Sequence, residues 1–165
     1  MRAAPLTRGF EGQREALSLA KSAEYLLDEC RMVLPGIQAL FGFQLIAVFS
    51  DGFNARVTPA EQRLHLAAIT LVAVAIALIM TPAAYHRIHG TREITEIFVK
   101  LSNRLVLWSM APLAAGIAMD LYIVARLISG RGIAAALAAI ALIVFVFLWG
   151  VLPRISRLQR MIAGP

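Results

Sequence analysis

The stretch GIAAALAAIALIVFVFLWGVL, residues 132–152, decides the fold. From Ile133 to Trp149 it has no charged, hydroxyl or amide side chain. A helix of this length, at ~1.5 Å per residue, crosses the ~30 Å hydrocarbon core of a bilayer. Backbone polar groups in lipid must be hydrogen-bonded within the segment, which favours a helix. The stretch therefore predicts a transmembrane helix.

Three other apolar runs of similar length precede it: Met32–Ser50, Leu64–Tyr85 and Leu105–Ile128. The chain is 59% hydrophobic and has a mean hydropathy of +0.74, which is more apolar surface than a soluble domain of this size could bury. We therefore predict an all-α polytopic membrane protein, an antiparallel bundle of four transmembrane helices over residues 32–152.

The chain before the first run differs in character. Charged residues between positions 11 and 29 interrupt it, so we expect no secretory signal. Apolar residues recur at helical spacing over 13–31, which predicts an amphipathic cytoplasmic helix that lies in the headgroup plane or packs on a partner. Residues 1–12 are expected to be mobile, and residues 153–165 to form a basic cytoplasmic tail.

The basic residues predict the orientation. Of the 16 Lys and Arg residues, only Arg56, Arg63, Arg126 and Arg131 fall in or beside the first and third loops. The positive-inside rule therefore places both termini in the cytoplasm. The net charge of +6 is distributed between and beside the spans rather than on one patch, so we expect no nucleic-acid partner.

Two connections contain helix-boundary signals. Thr58 is a good N-cap, Pro59 suits the first helical position and Glu61 is the capping-box partner, so the second span should begin near Pro59 and end at about His89. The Ser-Gly-Arg sequence at 129–131 predicts a tight turn that makes the third and fourth spans antiparallel neighbours.

Asp120 is the only acidic residue within a predicted span, and an ionised carboxylate in hydrocarbon needs a partner or a proton. At ~1.5 Å per residue, Gln44 and Thr70 lie at about the same depth on the first and second spans. We predict an intramembrane polar cluster of Asp120, Gln44 and Thr70. His65 and Arg126 would close this cluster from the external end.

The histidines do not suggest a cofactor site. A haem held between two spans needs two facing histidines, yet His65 and His86 are both on the second span, and no other span has one. A metal at His86 and His89 would need Glu93 or Glu96 as a further ligand. Interfacial histidines are the simpler interpretation, so we expect no metal and no cofactor.

Two segments, ECRMVLPGIQALFGF at 29–43 and TPAAYHR at 81–87, resemble a family of small uncharacterised bacterial four-span membrane proteins, the family of unknown function numbered six-three-two-eight. The resemblance implies a four-helix protein of the bacterial cytoplasmic (inner) membrane and implies no activity. The matching hallmark positions are Arg31, Pro35, Gly36, Gln38, Phe41, Pro82, His86 and Arg87.

Four of these positions, Arg31, Gln38, His86 and Arg87, form a predicted cytoplasmic-face cluster. This cluster is either a docking surface or a site for a lipid headgroup or phosphate. The alternative is ordinary interfacial charge, with long side chains reaching to the membrane surface.

No catalytic motif accompanies the spans, so we expect no enzyme. The leading hypothesis is a non-enzymatic membrane protein that acts by helix packing, as a homo-oligomer or an accessory subunit of a larger membrane complex, with lipids around it. The alternative is a small proton- or cation-coupled transporter or channel that uses Asp120 with Gln44 and Thr70. The two hypotheses differ over whether Asp120 opens onto water.

Overall fold

The computed structural model describes the backbone of residues 6–89 and 96–155, and the side chains of residues 21–53, 55–88 and 96–155, together with Leu19. Within these ranges the chain is helical apart from short connections. The helices are α1 (Leu6–Ala47), α2 (Asp51–Arg56), α3 (Pro59–His89), α4 (Glu96–Ser129) and α5 (Arg131–Phe145). A π-helical segment, Val146–Val151, and a 3-10 turn, Leu152–Arg154, follow α5.

Four of the helices are long and apolar enough to span a membrane. Their spanning windows are Lys21–Ala47, Pro59–Ile88, Glu96–Ser129 and Arg131–Arg154. The described residues contain helices and no strand. The all-α prediction with four candidate spans is thus confirmed, and the four apolar helices suggest a multi-pass membrane protein.

The first helix is longer than the apolar run that it contains. α1 begins at Leu6 and is unbroken through residues 12 and 31, and it accommodates Pro35 in its interior. The placement of its amphipathic part in the headgroup plane stays a prediction. Residues 1–5 and 156–165, which include most of the predicted basic tail, lie outside the described residues.

The first connection contains the short helix α2, formed by residues 51–56. Ser50 precedes it in extended conformation. Asp51 in its first turn and Arg56 in its last turn complement the helix dipole, which favours a helix even in this short segment.

The second spanning helix has the predicted bounds, Pro59 to His89. At its start the Thr58 backbone N–H and the Thr58 hydroxyl both donate to Glu61 Oε2, at 2.9 and 2.7 Å. Glu61 thereby satisfies a backbone donor that precedes the first helical turn, which is the carboxylate's role in a capping box.

The helices α3 and α4 make the most extensive contact in the protein. Gly116 permits their close approach: a Cβ at this position would lie 2.9 Å from Val72 Cγ2 and 3.1 Å from the Ala68 carbonyl oxygen. Ala68 and Val72 are fully buried. Small residues bring helices together in lipid, where there is no hydrophobic force between them.

The helices α1 and α5 flank this central pair. α1 packs mainly on α3, with Ile37 of α1 in the same buried cluster as Val72 and Ile79 of α3. α5 makes its extensive contacts with α4, and Ala134 is its one buried residue. Gly130 joins α4 to α5 with a φ of +82°, a left-handed conformation that glycine adopts without strain.

The alternating helix directions define two ends. The loop end contains α2 and the Gly130 turn. The terminal end contains the last turns of α3, the first turns of α4 and the residues after α5. The positions that carry polar chemistry lie at these two ends.

Candidate functional site

A buried polar cluster joins three helices at the loop end. Gln44 lies near the end of α1, His65 in the second turn of α3, and Asp120 in the last third of α4. Gln44 and His65 are 4% and 6% exposed, and the Asp120 side chain is 18% exposed. We call these three residues the loop-end triad.

Three hydrogen bonds connect the triad into a ring. Gln44 Nε2 donates to Asp120 Oδ2 at 2.5 Å. His65 Nδ1 lies 2.8 Å from Asp120 Oδ1, and His65 Nε2 lies 2.9 Å from the Gln44 carbonyl oxygen. The His65 ring also packs against Phe53 of α2, with the ring centroids 5.1 Å apart. α1, α3 and α4 are thereby linked through side chains at one depth.

The ring requires one proton between His65 and Asp120. The Gln44 carbonyl oxygen only accepts hydrogen bonds, so His65 Nε2 must carry a hydrogen. If the imidazole is neutral, Nδ1 has no hydrogen and the carboxyl group of Asp120 must donate to it. If Asp120 is ionised, Nδ1 must be protonated as well. In both arrangements one proton lies between Nδ1 and Oδ1, and the pair is formally neutral.

A second buried cluster lies beside the triad and engages Arg126. Arg126 Nη2 donates to Glu61 Oε2 and also to the Arg56 carbonyl oxygen, the latter at 2.9 Å. Arg126 Nε forms an ion pair with Glu61 Oε1 but makes no hydrogen bond within the described residues. The side chains of Arg126 and Glu61 are 16% and 8% exposed. Arg126 therefore pairs with Glu61, whereas Asp120 pairs with His65.

The triad borders a cavity of about 410 Å³ at the loop end, which falls within the usual size range of ligand pockets. Its polar lining includes Gln44, His65, Asp120 and Arg56, and the remaining lining is largely apolar. Gln44 Oε1 is buried and has no hydrogen-bond partner among the described residues. The triad therefore lies beside open space and has one polar atom without a described partner.

The structure brings together two of the three residues predicted for the intramembrane cluster. Gln44 and Asp120 are in direct contact. Thr70 is exposed, and its hydroxyl donates to the Leu66 carbonyl oxygen of its own helix at 2.9 Å, so the structure does not bring it to the other two. Depth alone does not fix the direction of a side chain: Thr70 follows His65 by five residues, at ~100° each, and faces away.

The sequence predicts that His65 and Arg126 close the cluster from the external end. In the structure these two residues have different partners. His65 is a full member of the triad, whereas Arg126 belongs to the neighbouring ion pair with Glu61. The sequence contains the signal for His65, because the buried residues of α3 recur every three or four positions. They are Glu61, His65, Ala68, Val72, Ala75, Ile79 and Pro82.

At the terminal end, the predicted cytoplasmic-face cluster divides. Arg31, His86 and Arg87 line one groove between α1 and α3. Gln38 is exposed and is outside that groove, so it does not belong with the other three. Gln38 is next to Ile37, which faces the core, and a one-residue step along a helix turns the side chain by ~100°.

No metal site is assembled in the part of the chain that the structure describes. Within that part there is no group of three or more His, Cys, Asp and Glu side chains that could hold an ion. His89 and Glu93, two of the four candidate ligands with His86 and Glu96, lie outside the residues whose side chains are described.

Comparison with known proteins gives a family and no activity. The model of a family of unknown function (DUF6328) matches residues 14–153. No curated protein and no solved structure is detectably similar to the chain. The match spans most of the sequence and all four candidate membrane helices, and the chain therefore belongs to this family.

Proposed function

We propose that this member of the family is a non-enzymatic, proton-coupled membrane transporter or channel that uses His65 and Asp120 as its proton-binding pair. The observation that carries the proposal is the hydrogen-bonded ring of the loop-end triad, which needs one proton and borders a cavity. A shared proton removes the net charge that would otherwise cost several kcal/mol in hydrocarbon.

Loss of this proton is coupled to the position of α1. Without it, neutral His65 has one ring hydrogen for two acceptors, the Asp120 carboxylate and the Gln44 carbonyl oxygen. One of the two contacts then becomes a repulsion between lone pairs. α1 packs less extensively on α3 and α4 than those two helices pack on each other, so its end at Gln44 is the part free to respond. Such coupling between proton occupancy and helix position is what a proton-driven transporter requires.

The membrane and orientation are part of the proposal. The excess of Lys and Arg beside the terminal end supports cytoplasmic termini. The loop-end cavity would then face the outside of a bacterial cytoplasmic membrane. A proton would enter the triad from that side.

The proposed function is tested by proton flux into liposomes that contain the purified protein. A membrane potential drives the flux, and a pH-sensitive dye reports it. The variants are Asp120→Asn and His65→Gln, and the matched control is Thr70→Ala, at similar depth but outside the triad. We expect uptake with the wild type and with Thr70→Ala, and loss of uptake with Asp120→Asn and His65→Gln.

Two results would overturn the transport proposal. The first is a wild-type rate no higher than that of protein-free liposomes, with the protein shown to be folded and inserted. The second is an equal rate in the wild type and Asp120→Asn. Repeating the assay with Na⁺ or K⁺ as the driven ion separates a proton pathway from a cation pathway.

A second candidate function is helix packing, as a homo-oligomer or an accessory subunit of a membrane complex. The observation in its favour is α5, which buries a single residue, Ala134, inside the chain. Ala135 and Ala139 are exposed one turn apart and would permit close approach of another helix. This candidate predicts an oligomer in mild detergent by light scattering and its dissociation by Ala139→Leu; a monomeric wild type rules out the homo-oligomer.

A further inference from the structure

A groove between α1 and α3 at the terminal end is separate from the loop-end triad. Its volume is about 810 Å³, larger than that of the loop-end cavity. Leu34 of α1 and Ile79 and Met80 of α3 line its apolar part. Arg31, His86 and Arg87 line its polar part. We call this feature the terminal groove.

The charge of the terminal groove is of one sign. No Asp or Glu is among its described lining residues. Among the described side chains Arg31 pairs only with Asp28, at 3.2 Å, and the two side chains are 82% and 53% exposed. An exposed pair of this kind contributes little, about 0–1 kcal/mol, so Arg31 is available to a stronger partner. Arg87 has no ion-pair partner in the described part of the chain.

The order of apolar and basic residues along α3 fits an amphiphilic ligand. Ile79 and Met80 lie about two turns before Arg87, which is ~10–12 Å along the axis at 1.5 Å per residue. The apolar end of the groove is thus nearer the middle of the spanning helix, and the arginines are at its end. A ligand that fits both parts has a phosphate at one end and a hydrocarbon chain at the other.

We propose that the terminal groove binds one anionic phospholipid, with its phosphate between Arg31 and Arg87 and an acyl chain along Leu34 and Met80. Guanidinium groups bind phosphate oxygens through paired, charge-assisted hydrogen bonds. His86, half-buried beside Phe98 with ring centroids 6.3 Å apart, adds a donor at the same mouth. Basic pockets between membrane helices bind lipid headgroups in this way.

The test measures lipid retention by the purified full-length protein in detergent, using native mass spectrometry. Phosphatidylglycerol is compared with phosphatidylcholine of the same acyl chains, and inorganic phosphate is added as a competitor. We expect the wild type to prefer phosphatidylglycerol by about tenfold or more, because phosphatidylcholine has the same phosphate but also a trimethylammonium cation, which the two arginines repel. Inorganic phosphate should not displace the lipid, because it has no chain to fill the apolar part.

Three variants assign the binding to this groove. The double variant Arg31→Gln/Arg87→Gln should lose the preference for phosphatidylglycerol. Met80→Trp should reduce retention of both lipids by filling the apolar part. Arg63→Gln, which removes an exposed arginine at the other end of α3, is the matched control and should behave like the wild type. Circular dichroism melts establish that each variant is folded.

Several results would overturn the proposal. Equal retention of the two lipids by the wild type would show that the groove does not select an anionic headgroup. An unchanged preference in the double variant, or an equal loss in Arg63→Gln, would place the lipid elsewhere on the protein. Displacement by inorganic phosphate would mean that the groove takes a free anion and not a lipid.

Discussion

Replacement of Gly116 by alanine tests the contact that holds α3 against α4. The added Cβ would lie 2.9 Å from Val72 Cγ2 and 3.1 Å from the Ala68 carbonyl oxygen. Optimal carbon–carbon separations are ~3.5–4.0 Å, so the overlap with Val72 is about 0.6–1.1 Å. Val72 and Ala68 have no exposed surface and little room to move. Overpacking of this kind costs ~1–3 kcal/mol.

Gly42→Ala is the matched control for this prediction. Gly42 also lies within a helix, and a Cβ there meets nothing within 4 Å. Both variants gain the ~1 kcal/mol by which alanine exceeds glycine in helix propensity. The difference between them therefore isolates the overlap, and Gly116→Ala should be less stable than Gly42→Ala by ~1–3 kcal/mol.

The assay is reversible unfolding in mixed micelles with increasing denaturing detergent, followed by circular dichroism. Gly116 is also one turn before Asp120, and Ala68 is about one turn after His65. Separation of the helices there would lengthen the 2.8 Å contact between His65 and Asp120, so Gly116→Ala should also slow the proposed proton flux. Equal stability of Gly116→Ala and Gly42→Ala would refute the close approach of α3 and α4.

Three further predictions concern the loop end. Arg126→Met should lower the free energy of unfolding by ~3–5 kcal/mol, because it leaves the buried Glu61 carboxylate without its cation. The double variant Arg126→Met/Glu61→Leu should recover much of this loss. Equal free energies of unfolding for the single and double variants would contradict a buried ion pair. Gly130→Ala should cost ~1–2 kcal/mol in the same unfolding assay because φ is +82°, and a neutral effect would contradict that conformation. Gln44→Leu should lower the free energy of unfolding by ~1–3 kcal/mol, because it leaves an oxygen of Asp120 without a hydrogen bond. This loss should be smaller when Asp120 is also replaced, by Asp120→Leu. Equal losses with and without Asp120→Leu would mean that the two side chains do not interact.

The sequence predicts the bounds of α3 well because local chemistry determines them. The start of α3 is determined by the hydrogen bonds between Thr58 and Glu61 and by the fixed φ of Pro59. These interactions involve only near neighbours in the sequence. The tight turn at Gly130 is local for the same reason. The length of α1 has no such local signal. The composition of the chain changes from mixed to apolar at residue 32, but the helix continues through this point without a break.

The functional site is predictable from the sequence only in part. Counting residues along the spans gave the shared depth of Gln44 and Asp120, because the rise of a helix is constant. The rotation of each helix about its axis depends on how the helices pack, and the depth of a residue does not reveal this rotation. The depth of Thr70 matches that of Gln44 and Asp120, but its side chain faces away from them. The buried face of α3, with His65 in register with Ala68 and Val72, carries the missing information. The groove at Arg31 and Arg87 depends on how α1 lies on α3 and has no local signal.

The most direct test of the shared proton is the protonation state of His65 in lipid bilayers, measured by nitrogen-15 nuclear magnetic resonance on histidine-labelled protein. His65→Gln assigns its signals, and infrared spectroscopy of the wild type against Asp120→Asn follows the carboxyl group. We predict a hydrogen on His65 Nε2 and one proton shared by Nδ1 and Asp120. A neutral His65 with its hydrogen on Nδ1 alone beside an ionised Asp120 would contradict the shared proton.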